Sequence, residues 1–261
     1  LDGSVDIENT KSTDSKVCFE DVSFSYENDS DTSLSNLSFS IKSGETIGII
    51  GGTGAGKTTL VNLIARFYDV TKGILFVDGV NVKDYKLSTL RGKIGMVPQK
   101  AVLFKGTIRD NMKWGKKDAT DEEIYEALDI AQAREFVDSK AGGLEEEISQ
   151  GGKNLSGGQR QRLTIARALV SKPEILILDD SASALDYATD AKLRKAIATK
   201  TKGMTVFIVS QRATTIKNAD RIIVLDEGKM VGFAKHEELL DTCEIYKEIC
   251  LSQLSNEEVN R

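Results

Sequence analysis

The order of apolar and polar positions divides the chain into short strands and helices along most of its length. Val17 and Phe19 share one face of a first strand, and Val22, Phe24 and Tyr26 resume the alternation after a shift. Leu37, Phe39 and Ile41 alternate cleanly after a polar turn, Asn28 to Ser33, so the two segments predict an antiparallel pair. Thr46 to Ile50 reads as a short buried strand, and Lys57 to Phe67 as a helix with Leu60, Leu63 and Ile64 on one face. Ile74 to Val77, the turn Asp78-Gly79, then Val80 and Val82 predict a hairpin. Ile94 to Val97 is a further strand, closed by Pro98.

From residue 100 to 172 the pattern turns helical. Thr120 with Glu123 is a capping-box signature for a helix carrying Ile124, Ala127, Leu128 and Ile130. A second helix runs from Gly157 to Val170, with Pro173 just beyond it. Strands return at Glu174 to Leu178, Thr205 to Val209 and Arg221 to Leu225, with a helix over 188–199 and a last amphipathic helix beginning near His236. Strands alternating with helices predict a largely parallel sheet covered on both faces, with the stretch of about 100–172 as an inserted helical lobe.

At 261 residues the chain can bury roughly 70–75% of its unfolded surface. Its net charge of −5 supplies no basic field for nucleic acid. Cys18, Cys243 and Cys250 are odd in number and lack metal-site spacing, which reads as a reduced, intracellular setting. A single histidine, His236, excludes a multi-histidine metal site, and at the start of a helix it reads as a surface residue. No apolar run reaches the ~18–20 residues that cross a bilayer, and there is no signal peptide. Residues 1–16 read as a polar linker, the main domain covers 17–256, and 257–261 form a tail; a chain starting at Leu1 suggests a piece of a longer polypeptide.

The strongest chemistry lies between the Thr46 strand and the Lys57 helix. Gly51-Gly52-Thr53-Gly54-Ala55-Gly56-Lys57-Thr58-Thr59 fits the phosphate-loop pattern in the strand-then-helix setting that supports it. Glycines let backbone approach a phosphate without a Cβ in the way, and the N–H groups of the helix start attract an anion. Lys57 adds a full charge at the β and γ phosphates, and the Thr58 hydroxyl can ligate Mg²⁺. A plain Gly-rich turn has no use for lysine and threonine there. Downstream, the apolar strand to Leu178 ends in Asp179, a carboxylate suited to the Mg²⁺ water shell opposite Thr58.

Leu155-Ser156-Gly157-Gly158-Gln159, followed by Arg160-Gln161-Arg162, decides the family. With the phosphate loop before it, the chain resembles the nucleotide-binding domain of ATP-binding-cassette (ABC) exporters over about residues 17–252. The resemblance implies an α/β fold, with a P-loop NTPase (RecA-like) core, an antiparallel β subdomain and an inserted α-helical subdomain. It implies ATP and Mg²⁺, a second nucleotide-binding domain, transmembrane domains outside this sequence, and a place at the cytoplasmic face of the cell membrane. Ser156 sits as a helix N-cap, and an ordinary capped helix has no need of two glycines and a glutamine. By resemblance this terminus contacts ATP held by the other domain of a head-to-tail pair.

Other positions follow the family. Tyr26 matches the aromatic that stacks on adenine, against a reading as a core strand residue. Gln99, after Val97-Pro98, matches the glutamine that reaches Mg²⁺ and senses the membrane domain, against a surface amide. Ser183-Ala184-Leu185-Asp186 matches the loop that communicates across the dimer. Leu87 to Arg91 and Leu103 to Asn111 resemble exporters in particular. Glu147 stands where an exporter loop touches the membrane domain, although Ser149-Gln150-Gly151 depart from the usual form.

Two departures bear on catalysis. The family's general base is a glutamate, and here Asp180 takes its place; the switch histidine is replaced by Gln211, before Arg212. The chain therefore resembles the degenerate-site subunit of heterodimeric bacterial exporters, with an own site that binds ATP and hydrolyses it slowly. The alternatives are a soluble cassette ATPase without membrane domains and a nucleotide-binding regulatory module that never hydrolyses.

Overall fold

The computed structural model describes residues 2–4, 15–26, 33–181 and 183–253. The expected turn at Asn28 to Ser33 lies outside these except for Ser33, as do most of the expected linker and the whole tail. In chain order the first stretch holds β1 (Ser15–Phe24), β2 (Leu34–Lys42), β3 (Thr46–Gly51), α1 (Lys57–Ile64), β4 (Lys72–Val77), β5 (Val80–Asn81) and α2 (Leu87–Gly92). The middle stretch holds β6 (Ile94–Val97), β7 (Gly106–Thr107), α3 (Ile108–Lys113), α4 (Asp121–Ile130), α5 (Arg134–Asp138), β8 (Glu147–Ile148), α6 (Gly157–Leu169), β9 (Ile175–Asp179) and α7 (Tyr187–Lys200). The last comprises β10 (Thr205–Val209), α8 (Ala213–Ile216), β11 (Arg221–Asp226), β12 (Lys229–Ala234), α9 (His236–Thr242) and α10 (Glu244–Gln253). Two compact units result, one from residues 1–94 with 205–261 and one from 95–204.

In the first unit β1 pairs antiparallel with β2 on one edge and β4 on the other, and β4 turns into β5. Phe19 lies opposite Phe39 with their rings stacked at 4.4 Å. The register shifts between Phe19 and Val22, and Asp21 adopts a left-handed φ of 48°. That bulge is the shift in the alternation of the first strand. Asp78 and Gly79, with φ of 51° and 73°, make the hairpin turn, and Lys16 and Lys93 grip the Asp78 carboxylate at 2.7 and 3.1 Å.

The second sheet of this unit places β3 between two parallel neighbours, β10 and β11, with β12 antiparallel on β11. A strand flanked on both edges and covered on both faces has no solvent side, which is why it reads as an apolar run. Ile47, Ile49 and Ile50 are fully buried, each worth about 1.5–3 kcal/mol of transfer free energy. Leu60, Leu63 and Ile64 of α1 are fully buried too. The helix stops at Ile64, short of the predicted Phe67, because Arg66 turns left-handed at φ 49° and bonds Asp69 through Nε at 2.8 Å.

The second unit contains β9, which is buried along its length, and the helices α3 to α7. Thr120 caps α4 with the predicted reciprocal box, accepting from the Glu123 N–H at 3.3 Å while the Glu123 carboxylate accepts from the Thr120 N–H at 3.1 Å. Among the described residues no helix is long and apolar enough to cross a membrane.

The C-terminal segment departs from its sequence reading in two ways. The helix beginning at His236 breaks at Cys243, which is extended, and restarts as α10. His236 is no simple surface residue: it is half-buried, and its Nδ1 shares a 2.7 Å hydrogen bond with the Tyr246 hydroxyl. Tyr246 and Cys250 are both fully buried. Burial raises the Tyr246 phenol well above its ordinary range and also raises the Cys250 thiol, so both are neutral.

Burial also lowers the His236 imidazole below its ordinary value, with Lys217 pushing the same way and Glu237 opposing. The unfolded chain therefore takes up a proton as pH falls through ~6.5, where the folded chain resists it, and stability is lost as pH falls. Because the chain has one histidine, this slope has a single side-chain source. Thermal unfolding followed from pH 7.5 to 5.5 should show a falling midpoint that flattens in His236→Gln, and an equal slope in the variant would refute the assignment.

Candidate nucleotide site

The loop between β3 and α1 takes its shape from backbone contact. A Cβ on Gly51 would stand 2.1 Å from the Leu225 carbonyl oxygen of β11, and one on Gly56 would meet the Ser33 carbonyl oxygen at 2.9 Å. Gly56 is the N-cap of α1 at φ 95°, a conformation that suits glycine, and no side chain bonds the helix start. No acidic residue occupies the first turn of α1 either, so nothing there competes with an anion. Gly52 and Gly54 lie on the open side, where added Cβ atoms would meet nothing within 4 Å. Thr53 and Thr58 are exposed beside them, while Ala55 and Thr59 are buried.

Lys57 is 9% exposed, and its Nζ donates to the Gly51 and Gly52 carbonyls at 2.8 and 2.6 Å. The ammonium thus folds back over the loop. Tyr26 is half-buried, with its ring edge-on to Phe24 and Tyr68, and its hydroxyl shares a 2.9 Å bond with Thr59 Oγ1. That bond ties the aromatic to the first turn of α1. Gln211 lies in the exposed link between β10 and α8, followed by the equally exposed Arg212.

The second unit carries the remaining expected residues. Asp179 closes β9 at 4% exposure. Asp180 follows in a left-handed conformation at φ 46°, which aspartate tolerates better than most residues. Its Oδ2 accepts a 3.1 Å bond from Gln99 Nε2, and its carbonyl accepts from the Ser183 hydroxyl at 2.8 Å. Gln99 and Asp180 therefore meet, a pairing that their separation of 81 residues gave no means of foreseeing. Asp186 is the N-cap of α7: its carboxylate accepts from the Thr189 N–H at 2.9 Å and hydroxyl at 2.7 Å, and these bonds lower its pKa.

Ser156 caps α6 as expected, accepting from the Gln159 N–H at 3.2 Å. The Gln159 side chain accepts in return from the Ser156 N–H at 3.0 Å. An ordinary capping box thus accounts for the glutamine, contrary to the sequence reading, and the spacing of Ser156 and Gln159 already carried that signal. The glycines are different. An added Cβ at Gly157 would find its nearest neighbour, Arg160 Nη2, at 3.9 Å, and one at Gly158 would make only ordinary contacts, the nearest with the Ala184 carbonyl at 3.4 Å. The fold of the unit itself does not demand glycine at either position. Glu147 lies exposed in β8, paired with Thr107 of β7.

Thr58 in the first unit, and Gln99 and Asp179 in the second, each carry a hard oxygen donor of the kind that suits Mg²⁺. No group of three or more His, Cys, Asp or Glu forms a ready-made metal cage among the described residues. A cation would therefore take much of its coordination from phosphate oxygens and water.

Comparison with known proteins agrees with this chemistry. The ABC transporter family model matches residues 34–183. The putative multidrug export ATP-binding/permease protein YgaD of Bacillus subtilis is 43% identical over 240 residues, covering 92% of this chain and 41% of that protein. The ATP-dependent lipid A-core flippase of Idiomarina loihiensis is 42% identical over 226 residues, 86% of this chain and 40% of that protein. The chain thus spans about two-fifths of the length of these relatives. A solved bacterial Atm1-family ABC exporter with ATP bound superposes with a TM-score of 0.88 at 33% identity, covering 97% of this chain and 45% of that one. Phosphate loop, capped Gly-Gly helix start and family match lead to one conclusion: the chain belongs to the ABC transporter family and is its ATP-binding domain.

Proposed function

We propose that this domain drives an exporter as one half of a heterodimer, and that its own site holds ATP longer than it hydrolyses it. The pair Asp180 and Gln211 carries the reading. Aspartate is one methylene shorter than glutamate, and a misplacement of ~1 Å in a catalytic group can cost ~10²-fold in rate. The Asp180 carboxylate is also engaged by Gln99, so its orientation is set by an amide. Gln211 can hydrogen-bond a γ-phosphate but can carry neither a proton nor a charge. Binding is a separate matter. The open faces of Gly52 and Gly54, the uncapped start of α1 and the inward Lys57 favour a triphosphate.

Thr58, Gln99 and Asp179 are the residues that would hold Mg²⁺, which when bound draws off charge from the phosphate oxygens. With Gln99 Nε2 committed to Asp180, the amide oxygen is the atom it can offer. Tyr26 would stack on the adenine. Ser156, Gly157 and Gly158 would complete the partner domain's site, and Asp186 would set the loop that faces it. Transmembrane domains would place the assembly at the cytoplasmic face of the membrane, with about 100–172 as the helical subdomain that addresses them.

Two measurements test this in the assembled transporter. Asp180→Glu with Gln211→His should raise ATP turnover at this domain's site by at least about tenfold, or 1.4 kcal/mol of barrier. Brisk turnover there without the changes would sink the degenerate-site reading, while ATP binding with no turnover at either site would favour a regulatory module.

Gly157→Asp probes the signature. Aspartate in the first turn of α6 is locally favourable, so the melting temperature should hold, yet the added charge should repel a partner-held phosphate and cut turnover more than tenfold. Unchanged turnover in the heterodimer would exclude donation in trans.

A further inference from the structure

The last helix reaches back to the expected switch position. α10 is anchored by the fully buried Tyr246 and Cys250, and Tyr246 is tied to α9 through His236. At the other end of α10, the Gln253 amide meets the backbone that follows β10. Gln253 Oε1 accepts from the Ala213 N–H at 2.9 Å, and Gln253 Nε2 donates to the Gln211 carbonyl at 2.7 Å. Both functions of one planar amide are thus spent on two peptide groups that flank Arg212.

This contact replaces something the local sequence lacks. The N-cap of α8 is Arg212, which supplies no side-chain cap. A helix start without a cap leaves N–H donors to be satisfied by some other group, and here the acceptor for Ala213 comes from 40 residues further along the chain. On the preceding side, the Ser210 N–H donates to the Ile49 carbonyl of β3 at 3.0 Å, and Ser210 Oγ accepts from the Arg212 N–H at 2.9 Å. The backbone around Gln211 is therefore held on both sides, by β3 through the preceding Ser210 and by the C-terminal helix through the Gln211 carbonyl and the Ala213 N–H. The exposed Gln211 side chain extends from a backbone whose position is already fixed, and that lowers the entropy lost when it engages a ligand.

We propose that Gln253 is a positioning residue for Gln211, a clamp through which the docking of α10 sets how well the domain distinguishes ATP from ADP. The proposal rests on the reading of Gln211 as a γ-phosphate contact. Gln253 touches no nucleotide in this scheme and acts only through the backbone of residues 211–213. A purely structural role for Gln253 would weaken the end of α10 and leave ATP and ADP affected alike.

The test uses the full-length transporter and labelling of this chain by 8-azido-ATP, competed with ATP or ADP. Gln253→Ala should raise the ATP concentration for half-competition roughly 5- to 10-fold, the scale of one to two hydrogen bonds, and leave the ADP value unchanged. Gln211→Ala should do the same, and the double variant should be no worse than either single one, as expected for two residues acting through one contact. Gln253→Glu keeps an acceptor for Ala213 but sets an oxygen against the Gln211 carbonyl, so it should match the alanine variant. Gln253→Ala with unchanged ATP preference, beside a Gln211→Ala that loses it, would overturn the clamp.

Hydrogen exchange separates the two ideas. In Gln253→Ala the Ala213 amide should exchange several-fold faster while the β3 amides hold. If Gln211→Ala leaves the preference for ATP intact, the γ-phosphate reading falls and the role in ATP discrimination is overturned with it; if Gln211→Ala loses that preference while Gln253→Ala leaves both it and Ala213 exchange unchanged, the clamp alone is overturned.

Discussion

The close approach of Gly51 to the Leu225 carbonyl is the contact on which the nucleotide site depends. A Cβ at position 51 would lie 2.1 Å from that oxygen, so the chain can leave β3 along this path only as glycine. β3 is itself held by parallel ladders on both edges, with Ile47, Ile49 and Ile50 fully buried. A strand so constrained delivers the loop to a fixed place, and the left-handed Gly56 then turns it into α1. Lys57 follows directly and folds back on the Gly51 and Gly52 carbonyls. Backbone shape comes first and charge second.

The two helix starts proposed to meet nucleotide illustrate different solutions to the same orphaned N–H groups. α1 has no side-chain cap and no acid in its first turn, leaving its donors to an external anion. α6 is closed by a reciprocal Ser156–Gln159 box, so in the proposed scheme it would meet an anion through the open glycine backbone and the helix dipole rather than through the capped donor. A bare start suits a loop that wraps a phosphate chain, and a capped start suits a rigid surface presented to another subunit. In the proposed scheme the hydrolytic chemistry would separate from both, resting on the Asp180 carboxylate just after β9 and on the Gln211 side chain in the link after β10.

That link also connects the centre of the first unit with its end. Ser210 bonds β3, Gln253 bonds the two peptides on either side of Arg212, and α10 is fixed by a neutral, buried Tyr246 paired with a half-buried histidine. The polar groups of this region are satisfied mostly across long sequence separations, which makes the C-terminal helix part of the scaffold beneath position 211 and not an appendage.

Periodicity and motif by themselves determined most of the architecture: the antiparallel first sheet, the parallel strands Thr46, Thr205 and Arg221, the hairpin at Asp78-Gly79 and the capped helices at Thr120 and Ser156. These are local properties, set by side-chain alternation, turn stereochemistry and spacings of three or four residues. Even the bulge at Asp21 was visible as a broken alternation. What the sequence left open was long-range. It did not unite β1 with β4, stop α1 at Ile64, break the last helix at Cys243 or bury His236. It did not pair Gln99 with Asp180 or Gln253 with residues 211 and 213. A hydrogen bond across 81 or 40 residues leaves no periodic trace, because only the packed backbone brings its two ends within bonding distance of each other, and that is what the tertiary structure alone decided.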